Sequence, residues 1–327
     1  MTGTIVILGA KGRFGRAATE AFRNANWQVR AFARAWNENA SADGIEYIEG
    51  DAFNAQDVTN AARGCDVIIN ALNPPYSRWQ ADLPRLTDNV IHAAKQTSAT
   101  VMIPGNVYNF GETMPVTLDD STLQQPSTRK GKLRVAMEET YKRASIQTVV
   151  LYGGDFIERE KTGNWFDSQI AVNANKGIVM YPGPLDRVHA WAYLPDMARA
   201  MVGLAEKRHE LGAWTRIGFD GHSVTGRQLI SAIETATGRR QFRWKLPLSL
   251  IRLLGMVSAE MREVAEMGYL WHVPHQIDGT SLAAALPGYR PTPLDRVMRN
   301  VLAPASLEPA NKALELRHGR PYRMAKG

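Results

Sequence analysis

The chain has 327 residues, of which 44% are hydrophobic and 22% charged, a profile typical of one large globular domain with a smaller appended part. The basic residues behind its net charge of +7 are mostly scattered, which favours an anionic small molecule over nucleic acid as a ligand. No apolar run is long enough to cross a bilayer, and the seven histidines lack metal-ligand spacing. The single cysteine excludes an intramolecular disulfide and no secretory signal is evident, so we expect a cytoplasmic protein.

The first predicted element is a strand at Ile5–Leu8, followed by a glycine-rich turn and a helix at Gly15–Asn24. Glycines spaced G-x-x-G-x-x-G let the backbone turn tightly and approach a pyrophosphate, which then lies against the N–H groups of the helix. The strand–turn–helix context makes this motif specific for a dinucleotide. The residues predicted to bind it here are Gly9, Lys11, Gly12, Arg13, Phe14 and Gly15.

Apolar runs alternate with helical patterns through residues 1–152. Strands are predicted at Val29–Ala33, Tyr47–Glu49, Val67–Asn70, Val101–Ile103 and Thr148–Tyr152, and helices at Ala55–Ala62, Leu83–Gln96 and Leu133–Ala144. Such alternation indicates right-handed β-α-β crossovers, and strands that are apolar throughout indicate a sheet covered on both faces. The predicted fold class is therefore α/β, a Rossmann-type doubly wound parallel sheet.

The pattern becomes looser after residue 152. Residues 153–187 look rich in loops, followed by a strand at Trp214–Ile217 and by helices at Ala192–Ala205, Gly226–Thr237 and Leu250–Met267, with a last one starting at Thr292. We predict a dinucleotide-binding core at 1–152. We also predict a mixed region at 153–303 that completes the sheet and forms the substrate-binding part, and a basic tail at 304–327.

The end of the second strand bears on which dinucleotide is bound. An acid at this point favours NAD because it binds the ribose hydroxyls, whereas an arginine favours the additional phosphate of NADP. Here the strand ends in Arg34 without an acid, and Arg13 could join Arg34 in forked hydrogen bonds around that phosphate. We therefore predict NADP, with NAD as the alternative. If the prediction is wrong, Arg34 is only a solvated surface charge.

Two later segments are predicted to complete the cofactor site, because ligands of such sheets bind outside the carboxyl ends of the strands. Asp51 and Ala52 follow the third strand, with Asp51 placed to meet the adenine. Asn70, Ala71 and Leu72 end the fourth strand, beside the ribose and pyrophosphate. An equal alternative for Asp51 is a turn residue before the next helix.

With these motifs, the chain resembles the extended and atypical short-chain dehydrogenase/reductases, the NAD(P)-dependent epimerase/dehydratase group, over most of residues 3–302. Besides the glycine turn, the similar segments are Gly50-Asp51, Val107-Tyr108-Asn109-Phe110-Gly111, Trp191–Ala198 and Thr292-Pro293-Leu294. The resemblance implies an NADP-dependent oxidoreductase or epimerase/dehydratase-like enzyme. It also implies a small carbonyl, hydroxyl or sugar-nucleotide substrate and a homodimer.

That family uses a Ser or Thr, a Tyr and a Lys for proton transfer, and this chain departs from the pattern. Pro104 falls at or near the Ser/Thr position, and the region 126–138 lacks Y-x-x-x-K. One alignment puts Thr128 in place of the Tyr and Lys132 in place of the Lys. The other, anchored on Glu138, puts Lys130 and Arg134 there. We favour the first because it keeps a lysine.

The catalytic candidates are consequently Lys132, Tyr108 and Asn106. Lys132 would donate the proton or, alternatively, only contact the cofactor. Tyr108 and Asn106 lie just past the fifth strand, and the alternative for Tyr108 is a core-facing aromatic residue. We expect Lys130 to be a surface charge. The loss of the tyrosine also supports a second hypothesis, a non-catalytic NADP(H)-binding sensor or scaffold.

Overall fold

The structure is a computed structural model that describes residues 3–37, 40–245 and 265–303. Within these ranges, seven parallel strands form the main sheet. From one edge to the other they are β3 (Ile45–Glu49), β2 (Gln28–Ala33), β1 (Thr4–Leu8), β4 (Val67–Asn70), β5 (Thr100–Asn106), β7 (Thr148–Gly153) and β11 (Trp214–Gly218). The strand order reverses between β1 and β4, where doubly wound sheets bind their ligands. The predicted Rossmann-type α/β fold is confirmed.

Helices cover both faces of this sheet. The first five are α1 (Arg13–Asn24), α2 (Ala55–Ala62), α3 (Trp79–Thr97), α4 (Arg129–Arg143) and α5 (Leu194–Glu206). Helices α2, α3 and α4 pack on one face, and α1 and α5 on the other. Helix α4 begins at Arg129 rather than at the predicted Leu133, because the hydroxyl oxygen of Thr128 accepts a hydrogen bond from the Gly131 N–H (3.1 Å) and caps the helix.

Short strands complete the described chain. The strands β8 (Asp155–Ile157), β10 (Val188–Tyr193) and β12 (His222–Thr225) form one small sheet, while β9 (Ile178–Tyr181) pairs with β13 (Phe242–Lys245) and β6 (Thr117–Leu118) with β14 (Gln276–Ile277). Two of them, β8 and β9, lie in the segment 153–187 that the sequence predicted to be rich in loops. The prediction of a helix from Ala192 is wrong at its start. Residues 192–193 belong to β10, and α5 begins at Leu194 with a proline in its first turn, a position that suits proline.

The remaining described helices are α6 (Gly226–Thr237), α7 (Thr280–Ala285) and α8 (Leu294–Leu302). The predicted helix at Gly226–Thr237 is confirmed. Most of the predicted helix at Leu250–Met267 and the whole of the predicted tail lie outside the described residues. The predicted division at residue 152 stays a prediction, although β11, from beyond that boundary, pairs with β7. No helix in the described ranges is long and apolar enough to cross a membrane.

Candidate dinucleotide and substrate site

The glycine turn forms a tight cradle at the carboxyl end of β1. Gly9 has a left-handed φ of +81°, and the N–H of Gly12 donates to its carbonyl oxygen at 2.8 Å. A Cβ on Gly9 would lie 2.8 Å from the carbonyl oxygen of Ala71 at the end of β4, and a Cβ on Gly15 would overlap the carbonyl oxygen of Gly9. The turn and the end of β4 therefore approach as closely as backbone allows.

The N-terminus of α1 at this turn suits an anion. Its N-cap, Gly12, supplies no side-chain hydrogen bond, and the first turn contains no acidic residue. Backbone N–H groups with a positive helix-dipole end are the usual ligands of a pyrophosphate. The residues present therefore fit a dinucleotide cofactor, held by Gly9, Gly12, Gly15 and Ala71. Phe14 contributes no side chain, because its ring is buried in the core.

Lys11 lies beside the end of β2, where the additional phosphate of NADP is predicted to bind. Its ammonium donates to the carbonyl oxygen of Ala35 (3.2 Å) and lies 5.6 Å from the centroid of the Trp36 ring. Arg34, the residue before Ala35, is exposed. From the sequence, Lys11 was predicted to bind the dinucleotide only as part of the glycine turn. In the structure its ammonium reaches the segment after β2 that contains Arg34.

Arg13 points elsewhere. Its guanidinium donates to the carbonyl oxygen of Thr162 (2.8 Å) and lies 3.8 Å from the carboxylate of Glu158. The predicted pairing of Arg13 with Arg34 is therefore not the arrangement found, because residues after β8 engage Arg13. Arg13 instead links the glycine turn to the second part of the chain.

The residues after β3 and β4 hold the backbone of the site in place. The Asp51 carboxylate accepts the Phe53 N–H (3.0 Å), so Asp51 is a turn residue, as the alternative had it, and Ala52 is buried. The Asn70 side chain donates to the hydroxyl of Tyr141 (2.8 Å) and accepts the N–H of Leu72 (3.2 Å). These contacts order the end of β4 through side chains that face the core.

Helix α4 decides between the two alignments of the catalytic segment. Lys130 and Arg134 are buried on one face of the helix, one turn apart, whereas Lys132 is exposed. Thr128, the counterpart of Lys132 in the favoured alignment, is the N-cap. Both alignments pair residues four apart, which share a helix face, but only the alignment anchored on Glu138 pairs two side chains that are both buried. The structure therefore does not support Lys132 as the catalytic or cofactor-binding residue, and the expectation that Lys130 is a surface charge is wrong.

Lys130 lies in a polar and aromatic environment. Its ammonium is 3.4 Å from the carboxylate of Glu266 and 4.6 Å from the centroid of the Tyr76 ring. The backbone N–H of Lys130 donates to the same carboxylate at 3.0 Å. A buried ammonium needs such partners, since burial without them costs several kcal/mol. The Glu266 carboxylate and the Tyr76 ring therefore hold the buried Lys130 side chain in place.

The hydroxyl groups of Tyr108 and Tyr76 interact with each other. Burial raises the pKa of Tyr108 well above its usual value, and the negative charges around it add to that effect. Both phenols therefore stay protonated at neutral pH. Asn106 has a local role, since its side-chain oxygen accepts the N–H of Tyr108 (3.0 Å) and caps the short turn that carries this tyrosine.

One guanidinium nitrogen of Arg134 has no hydrogen-bond partner among the described residues. One of its terminal nitrogens donates to the carbonyl oxygen of Pro104 (2.7 Å), and the other lies 3.9 Å from the sulfur of Met137. Its Nε is buried without a hydrogen-bond partner among the described residues. A buried N–H without a partner costs about 1–3 kcal/mol, and a bound group that accepts it would remove this cost.

Glu138 completes the polar face of α4. Its buried carboxylate accepts hydrogen bonds from Asn109 (2.7 Å), Gln124 (2.7 Å) and the hydroxyl of Tyr152. From the sequence, Glu138 served only to anchor one of the two alignments. The signal that could have revealed this face is the spacing of Lys130, Arg134 and Glu138, which repeats every four residues.

His275 is buried, and its imidazole should make the free energy of unfolding depend on pH. Its Nδ1 donates to the carbonyl oxygen of Val273 (2.9 Å), and its Nε2 has no partner among the described residues. Burial, with the neighbouring His189 adding to it, lowers the pKa of His275 from 6.5 to about 3. The unfolded chain therefore takes up this proton at higher pH than the folded chain.

The resulting stability is complete above pH 6.5 and decreases as the pH falls toward 3, by up to about 1.4 kcal/mol per pH unit. We expect His275→Gln to flatten this dependence in urea unfolding at about pH 7.5 and about pH 5. The control is His92→Gln at an exposed position. Identical pH dependence in wild type and His275→Gln would contradict the prediction.

Comparisons with known proteins bear on the cofactor domain and on the fold. Residues 9–165 match a family described as NAD(P)H-binding. UDP-N-acetylglucosamine 4-epimerase from Bacillus cereus superimposes with a TM-score of 0.72 at 13% identity, covering 92% of this chain and 98% of that one. L-threonine 3-dehydrogenase from Trypanosoma brucei gives 0.72 at 17% identity, covering 92% and 96%.

The Bordetella bronchiseptica enzyme WbmH, in complex with NAD⁺, gives a TM-score of 0.69 at 14% identity, covering 93% of this chain and 98% of that one. No curated protein sequence matches the chain. No group of three or more potential metal ligands occurs among the described residues. As the resemblance drawn from the sequence predicted, residues 9–165 match an NAD(P)H-binding family and the chain shares the fold of an epimerase and a dehydrogenase.

Proposed function

We propose that this chain, with its NAD(P)H-binding domain and epimerase-type fold, is an NADP-dependent oxidoreductase or epimerase-like enzyme in which Lys130 replaces the catalytic tyrosine of the family. The observation that carries the proposal is the burial of Lys130 and Arg134 on one face of α4, with Lys130 against Tyr76 and Arg134 bound to Pro104 in β5. Its substrate is a small carbonyl or hydroxyl compound or a sugar nucleotide. The enzyme acts as a homodimer in the cytoplasm.

The bound nicotinamide would supply hydride transfer to or from the substrate carbon. Lys130 donates a proton to the substrate oxygen during reduction and accepts it during oxidation. The Glu266 carboxylate keeps the ammonium in place for this transfer. Arg134, whose Nε has no hydrogen-bond partner among the described residues, takes the place of the lysine of the family and would donate to a ribose hydroxyl of the bound cofactor.

The test starts with binding. Titration of NADPH, NADP⁺, NADH and NAD⁺ against the tryptophan fluorescence of the purified protein should show tight binding of the phosphorylated pair. NADPH oxidation is then followed with simple aldehydes, hydroxyketones such as dihydroxyacetone and D-xylulose, and UDP-sugars. Failure of all four nucleotides to bind would overturn the proposal.

A second candidate, a non-catalytic NADP(H) sensor, is favoured by two observations. The ammonium of Lys130 is already engaged by Glu266, and a proline stands at the Ser/Thr position. Tight NADPH binding without turnover of any compound in the panel would support the sensor and reject the enzyme.

The preference for NADP depends on the cations at the end of β2. Replacing Arg34 or Lys11 by alanine should weaken NADPH binding about tenfold each, because a charge-assisted hydrogen bond to phosphate is worth about 1.5–3 kcal/mol. NADH binding should stay unchanged. Arg63→Ala, at an exposed arginine beyond α2, is the matched control. Equal losses for NADPH and NADH would show that these cations do not recognise the additional phosphate.

A further inference from the structure

The carboxylate of Asp155, at the start of β8, is fixed on one side and open on the other. Its Oδ2 lies 2.8 Å from Nε2 of His189. No described group donates a hydrogen bond to Oδ1, and the side chain is 13% exposed, so the carboxylate is partly accessible.

His189 is held rigidly behind this carboxylate. Its ring stacks on Trp271 with centroids 4.5 Å apart and an interplanar angle of 8°, and His275 lies edge-on at 4.5 Å. The imidazole is 3% exposed. Its packing therefore fixes the direction in which Asp155 points, as the orienting partner of a general base should.

The hydroxyl pair of Tyr76 and Tyr108 lies within the field of this carboxylate. Burial is the main cause of the raised pKa of each phenol, and the negative charge of Asp155 raises both further. Neither hydroxyl donates to Asp155. The partly accessible Asp155 carboxylate therefore acts on two neutral phenols, and the Lys130 ammonium lies against the ring of one of them, Tyr76.

A carboxylate base combined with neutral phenol donors is suited to enolisation, since the donors stabilise the oxygen that gains charge while the base removes a proton from carbon. We infer that Asp155 is a general base that abstracts a proton from the carbon next to the substrate carbonyl, with Tyr76 and Tyr108 stabilising the enolate oxygen. His189 is the positioning residue. The inference rests on the proposed function and specifies its reaction class.

The step involves no net oxidation. The C–H bond next to the carbonyl breaks and its proton moves to Oδ1 of Asp155. The electron pair forms a carbon–carbon double bond, and the carbonyl π electrons move to the oxygen. Return of a proton to the same carbon restores the ketone, with its configuration kept or inverted. The substrate is therefore a carbonyl compound with an adjacent C–H, and the chain catalyses epimerisation beside hydride transfer.

The experiment measures deuterium uptake. The probe is the hydroxyketone of the panel that the wild-type protein reduces fastest, incubated in D₂O with NADP⁺, which cannot reduce it. Loss of the adjacent C–H signal is followed by proton NMR for wild type, Asp155→Asn and the exposed control Asp186→Asn. We expect wild type and the control to exchange, and Asp155→Asn to be slower by about 100-fold or more.

NADPH binding by Asp155→Asn, together with a single cooperative unfolding transition in urea, shows that the variant is folded. His189→Gln should slow exchange about tenfold and shift its pH–rate profile, which a purely structural role would not do. Exchange by Asp155→Asn at the wild-type rate, or reduction without exchange in wild type, would overturn the inference and leave the proposed function intact. A wild-type protein that reduces no member of the panel would overturn both.

Discussion

Replacing Lys130 by methionine is expected to abolish turnover while leaving NADPH binding within about threefold of wild type. Removal of a positioned acid–base group slows a reaction by about 10²- to 10⁴-fold. Methionine matches the length and apolar volume of the lysine stem. The backbone N–H of residue 130 still donates to Glu266, so the contact between α4 and that carboxylate survives in part.

Two further variants identify the role of the ammonium. Lys132→Met removes an exposed lysine from the opposite face of the same helix and should retain activity. Lys130→Arg keeps a positive charge but cannot give up a proton at neutral pH. Loss of activity in this variant indicates proton transfer, and retention indicates a purely electrostatic role. Full activity in Lys130→Met would remove Lys130 from the mechanism.

Gly15→Ala is expected to destroy the dinucleotide site. The new methyl group would overlap the Gly9 carbonyl oxygen and lie 2.8 Å from the Cα of Ala10, so backbone must move. Overpacking of this kind costs about 1–3 kcal/mol or more. Displacement of α1 from β1 should eliminate NADPH binding, because the N–H groups that meet the pyrophosphate would shift.

The matched control is Gly288→Ala, whose added methyl group meets no atom within 4 Å. It should bind NADPH as wild type does. Urea unfolding reports the stability of each variant, and fluorescence titration reports its binding. A Gly15→Ala protein that binds NADPH with wild-type affinity would show that the cradle is not the pyrophosphate site.

The sequence alone determined the parallel sheet and its cofactor edge. The apolar runs that became β1, β2, β4 and β7 are short, nearly continuous and separated by helical patterns, so local periodicity was sufficient to predict them. The glycine turn could also be predicted from the sequence, because glycine is the residue that permits such a tight turn. The strands β8 and β9 were missed because they are short and pair only with distant segments.

Tertiary structure decided the rest of the site. The sequence allowed two alignments, and the start of α4 after Thr128 turned Lys130 and Arg134 inward and Lys132 outward. Arg13 does not reach the end of β2, because its guanidinium donates to the carbonyl oxygen of Thr162, 149 residues further along the chain.

The pairs Tyr76–Tyr108 and Asp155–His189 likewise join residues that are remote in sequence, the second by 34 positions. Such pairs carry no local signal, because neither partner affects the conformation of its neighbours. Their geometry arises only when the sheet brings the loops at its carboxyl edge together and burial forces each polar group to find a partner.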